Sequence, residues 1–117
     1  MIADRAADLG RLVGQSDEYQ ALKRANDRLM EEQELRGALE RLRALQLKVA
    51  EQMDKGIEPT PEQQVEIDGL VGKVQGHPAY QGVVAAQSNF DKLMMKVNEW
   101  ILDGIKQGSA SRIITLG

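Results

Sequence analysis

At 117 residues and a formal net charge of −3, the chain has the length of one domain and can bury roughly two-thirds of its unfolded surface in one modest core. It has no cysteine, which excludes disulfides, thiol nucleophiles and thiolate metal sites and fits a reducing cytoplasm. Acids and bases are interspersed and no apolar run approaches the ~18 residues of a membrane span, so neither nucleic acid nor a bilayer is an expected partner.

Few aromatics, three prolines and abundant Ala, Leu, Glu, Gln, Lys, Arg and Met favour helix throughout. The first helix is expected over residues 2–13, with Ile2, Ala6, Leu9 and Val13 on one face and Gly14 as its stop. The charges Asp4, Arg5, Asp8 and Arg11 argue against a signal-peptide apolar core there. Ser16 is a good N-cap for a second helix to about Met30, whose stripe is Tyr19, Leu22, Ala25 and Leu29. The polar junction Glu31 to Glu34 reads as a break, because the apolar phase restarts at Leu35.

The third helix is expected to reach Lys55, with Leu35, Ala38, Leu39, Leu42, Leu45, Val49 and Met53 in one stripe and Leu47 well off it. Glu32 and Glu40 each lie four residues from Arg36 and are its expected partners. Gly56 suits a C′ position and Pro59 bars continuation. Thr60-Pro61-Glu62-Gln63 is a capping box with Pro at N1. The fourth helix then runs to about Gln75, with Ile67, Leu70, Val71 and Val74 on one face, and Gly69 and Gly72 as positions for close helix approach.

The longest element is expected from Pro78 to about Gly108, or about 45 Å at 1.5 Å per residue. Its apolar sector covers roughly 200° where one packing surface needs about 100°. One side, through Tyr80, Val84, Met94, Ile101 and Ile105, is expected to pack along the hairpin of the third and fourth helices. The other, through Phe90, Leu93, Val97 and Trp100, together with Leu47 of the third helix, is the expected partner interface. Residues 2–108 form one domain in this reading, and residues 109–117, opening Ser109-Ala110-Ser111, a flexible tail. The expected fold is all-α: about five helices, a long antiparallel hairpin plus a long C-terminal helix, in an oligomerising bundle.

Catalytic patterns are missing. The single histidine, His77, has no sequence-adjacent acid and reads as a loop residue. The pairs Glu62/Glu66 and Glu31/Glu34 have helical spacing but lack the Glu-x-x-His companions of bundle metal sites. Gly10-x-x-x-Gly14 lacks the Lys and the preceding strand of a phosphate loop. No catalytic, metal or cofactor residue is therefore assigned, and a non-enzymatic role is expected. Two rivals are defined: an RNA-binding accessory module, and a small-ligand or catalytic bundle that would need Asn26, Gln46 and Gln87 in its core.

Ala7-x-Leu9-Gly10, Ser16-x-Glu18-Tyr19-x-x-Leu22-Lys23, the Gly56-x-x-Pro59-Thr60-Pro61-Glu62 turn and His77-Pro78 resemble, in order and spacing, the YlbF/YmcA family of small bacterial helical proteins over roughly residues 3–107. The resemblance implies an all-α cytoplasmic regulator that forms dimers or larger complexes with itself and with related members. It implies links to competence, sporulation and biofilm formation, and to RNA processing through ribonuclease Y. Some family complexes carry iron–sulfur clusters on cysteines, and this chain, having none, cannot hold a cluster through its own thiolates. A structural bundle without a regulatory role is the remaining alternative.

Overall fold

Five helices form the chain in the computed structural model, which describes the backbone of residues 1–116 and the side chains of residues 1–110. They are α1 (Ile2–Gly14), α2 (Asp17–Glu31), α3 (Gln33–Asp54), α4 (Pro61–Gln75) and α5 (Pro78–Leu116), with no strand among the described residues.

Local chemistry sets the boundaries. Ser16 Oγ accepts from the Tyr19 amide at 3.1 Å and donates to the Val13 carbonyl at 2.6 Å, tying the end of α1 to the start of α2. Glu32 leaves the helical region at φ −83°, ψ 97°, which breaks α2 from α3 at the expected place. Arg36 does not pair with Glu32 or Glu40: its guanidinium donates to the Met30 carbonyl at 3.3 Å, stitching the same break. The end of α3 is a Schellman motif. Gly56 takes φ +79°, its N–H donates to the Met53 carbonyl at 3.0 Å, and the Ile57 N–H donates to the Gln52 carbonyl at 2.8 Å. At α4, Thr60 Oγ1 accepts from the Gln63 amide at 3.1 Å and Gln63 Oε1 accepts from the Thr60 amide at 3.0 Å, the full capping box.

His77 is more than a loop residue. Its Nδ1 accepts from the Ala79 amide at 3.0 Å and its carbonyl accepts from Gln81 at 3.1 Å, so it is the N-cap of α5. Its Nε2 lies 3.9 Å from Glu32 Oε2, joining the two points where the chain turns. α5 continues past Gly108, where the sequence places its end, to Leu116, because Ser109 and Ala110 carry the helix onward at no steric cost. Gly117 lies outside the described residues.

The helices pack as two arms. α3 and α4 form an antiparallel hairpin, tied by Arg41 Nε to Glu66 Oε1 at 2.7 Å. α2 lies along α5, and α4 touches α5 only where the arms meet. That corrects the expectation that the longest helix packs back along the hairpin. The α3 and α4 stripes already satisfy each other, which leaves α5 to pair with α2. The arms share a core of Leu29, Leu35, Ala38, Val74 and Ala79, flanked by Leu39, Leu70, Tyr80 and Val83. Gly69 and Gly72 face open space, so neither serves a close helix approach.

The outline is elongated: the principal extents are 70 × 36 × 20 Å and the radius of gyration is 21.8 Å. A compact chain of this length would have about 13 Å.

Candidate interaction surface

α5 has two apolar faces, and α2 covers one of them. Val97 is buried, Phe90 and Leu93 are half-buried, and the Tyr19 ring meets the Phe90 ring edge-on with centroids 5.6 Å apart. Ala86 and Ala79 continue the same buried line toward the junction of the arms. So three of the five residues expected at a partner interface, Phe90, Leu93 and Val97, instead hold α5 to α2 within the subunit. The other two, Leu47 and Trp100, are each 60% exposed. Leu47 stands alone among charged neighbours on the outer side of α3, and an isolated exposed leucine is ordinary. Trp100 borders a shallow groove between α2 and α5 with Asp17, Glu18, Ala21, Lys92 and Lys96.

Of the side expected to meet the hairpin, Tyr80 packs against the shared core with Leu39 and Leu70 and Met94 is half-buried, while Val84, Ile101 and Ile105 are open and share an exposed stripe with Met95 and Leu102. Val84, Met95, Leu102 and Ile105 are all more than half exposed, and Ile101 is 44% exposed. Met95, Leu102 and Ile105 follow at steps of seven and three, Ile101 lies four residues before Ile105, and Val84 lies eleven before Met95 on the same outer stripe. At its upper end the stripe borders a groove lined by Tyr80, Val83, Val84, Ser88, Asp91 and Met95. Toward the C-terminus only α1 lies nearby, where Met1, Ile2, Ala6 and Leu9 border Ile101, and α1 itself has no buried residue. Every residue from Asn98 to Ala110 is exposed.

A signal for this reversal was present. The stripe Tyr19, Leu22, Ala25, Leu29 on α2 has no other helix left to face once α3 and α4 are paired. Hairpin self-sufficiency, rather than the width of the α5 sector alone, decides which side of α5 is covered.

Asn26, Gln46 and Gln87 all lie at the surface, so the polar core site that a ligand-binding bundle would build from them is not formed. The Arg41–Glu66 pair holds the Glu66 carboxyl below its ordinary value, chiefly through the hydrogen bond from Arg41. It is an exposed strut between helices. Among the described residues no helix is long and apolar enough to cross a membrane.

Residues 2–106 match the family described as "Control of competence regulator ComK, YlbF/YmcA". The chain belongs to the YlbF/YmcA family. The match runs from α1 to the distal part of α5 and so takes in both arms and the outer stripe. By that description the YlbF/YmcA family has a regulatory role, in control of the competence regulator ComK. Individual relatives include a UPF0342 protein of Desulfitobacterium hafniense, 28% identical over 97 residues that cover 83% of this chain and 74% of the relative. A UPF0342 protein of Alkalihalophilus pseudofirmus is 23% identical over 106 residues, covering 91% of this chain and 90% of the relative.

Proposed function

We propose that this YlbF/YmcA-family protein is a non-enzymatic cytoplasmic adaptor. It acts by helix-mediated association with itself and with related helical family members, and the outer stripe of α5 is the association surface. The observation that carries this reading is the uncovered distal α5. Val84, Met95, Leu102 and Ile105 are left to water by a fold whose radius of gyration, 21.8 Å, is that of an unpacked pair of arms. Apolar side chains gain about 25 cal/mol per Å² on burial, and no helix among the described residues covers these. Through the family, the adaptor is tied to regulation of competence and development and to a ribonuclease complex that processes RNA. The partner in that complex is a protein surface, since the mixed charge of this chain does not favour direct RNA contact.

Light scattering on the purified protein tests the association. The expected result is a mass above that of one chain at tens of micromolar, falling toward one chain in Leu102→Glu. A monomer across that range overturns the proposal. Retention of RNA on a filter at low salt would return the RNA-binding module as the better reading.

A further inference from the structure

The geometry points to an antiparallel pairing of α5 with α5 of a second copy, held in register by reciprocal Lys92–Glu99 ion pairs. The inference rests on the proposed self-association and specifies its geometry.

The outer stripe has heptad spacing. From Val84 the steps to Ser88, Asp91, Met95, Asn98 and Leu102 alternate four and three, and the next step of three reaches Ile105. Such a seam has two flanks. Ala85, Lys92, Glu99 and Lys106 lie along one, and Gln87, Met94 and Ile101 along the other. Lys92, Glu99 and Lys106 are exposed, and none of them makes an ion pair among the described residues.

Orientation follows from which residues the flanks bring together. In a parallel pair each flank meets the opposite flank, which sets Lys92 beside Gln87, Glu99 beside Met94 and Lys106 beside Ile101 of the partner subunit, and no charges pair. In an antiparallel pair each flank meets its own copy. With Met95 opposite Asn98 of the partner subunit, Lys92 faces Glu99 of the partner subunit and Glu99 faces Lys92 of the partner subunit. On the other flank Met94 meets Ile101 of the partner subunit, and the reverse. One register therefore satisfies both charges and both apolar side residues by a two-fold axis. Because α4 joins α5 at its first residues, the same axis places the two α3–α4 arms at opposite ends of the pair.

The seam also carries Ser88, Asp91 and Asn98. Gln87 Nε2 donates to Asp91 Oδ1 at 2.9 Å, which holds that carboxylate at the edge of the stripe. Polar seam positions fix register and orientation while weakening the contact, so this dimer is reversible.

Charge reversal on the full-length protein tests the arrangement. Lys92→Glu and Glu99→Lys, each alone, turn both ion pairs into repulsions, and each is expected to weaken the homodimer roughly tenfold by light scattering or sedimentation. The double variant K92E/E99K restores the pairs and should associate as the wild type does. An equimolar mixture of the two single variants should form a heterodimer, because each unlike pair is then attractive. Both substituted residues are exposed, so unchanged helical circular dichroism is expected throughout. A dimer indifferent to all four conditions overturns the antiparallel seam while leaving self-association standing. A monomeric wild-type protein overturns both.

Discussion

Leu35 is the residue on which the joining of the arms turns. It is 1% exposed, sits just beyond the break at Glu32, and is in the cluster shared by α2, α3, α4 and α5. Leu35→Ala removes that contact and leaves a cavity in the shared core. A loss of about 2–5 kcal/mol is expected, read as a lower urea midpoint. Gly56 and Gly69 predict changes of opposite sign. A Cβ meets nothing within 4 Å at either position. At Gly56 the backbone sits at φ +79°, so Gly56→Ala is expected to cost about 1 kcal/mol through strain alone. Gly69 lies inside α4 with ordinary helical dihedrals, and Gly69→Ala should stabilise by roughly 0.5–1 kcal/mol. Urea titration of the two variants side by side checks the contrast.

At the scale of elements, boundaries were legible in the sequence and partners were less so. Ser16, Gly56, Thr60, Pro61 and Gln63 act through backbone groups within a few residues, and a local signal of that kind can be read without knowing the fold. The same locality explains the break at Glu32. Which stripe meets which is a different matter. Phe90 and Val84 are both apolar and lie on the same helix, and nothing in their own neighbourhood says that α2 covers one and leaves the other open. The extension of α5 past Gly108 was also hidden, since Gly-Ser-Ala-Ser is linker-like in composition yet compatible with a helix. The hairpin offers a pH test of its one interhelical ion pair. The Glu66 carboxyl is lowered in the fold relative to the unfolded chain, so its contribution is present above its unfolded value and is lost as pH falls through the folded one. The urea midpoint of the wild type should therefore fall between about pH 5 and pH 3 by more than that of Glu66→Gln. Equal falls in the two proteins would show that the pair is not coupled to folding.

At the scale of the whole molecule, nine buried apolar side chains stand against fifteen large exposed ones among the described residues, and part of that exposed set is the surface on which the proposed association draws. The chain folds around a small shared core, with one face of its longest helix covered by α2 and the other exposed. Trp100, the sole tryptophan, sits on α5 away from the Val84–Leu102 seam and is 60% exposed. The protein thus carries its own optical reporter, with no competing indole signal. Emission from an indole in water lies to the red and moves to the blue as the ring is dehydrated. If the copies meet along the outer stripe, diluting the assembly to single chains leaves the emission maximum in place even as the scattered intensity drops. A blue-shifted maximum at high concentration that returns to the red on dilution would place the contact in the groove between α2 and α5 instead. One cuvette with two detectors therefore separates the two faces of α5 without altering a single residue.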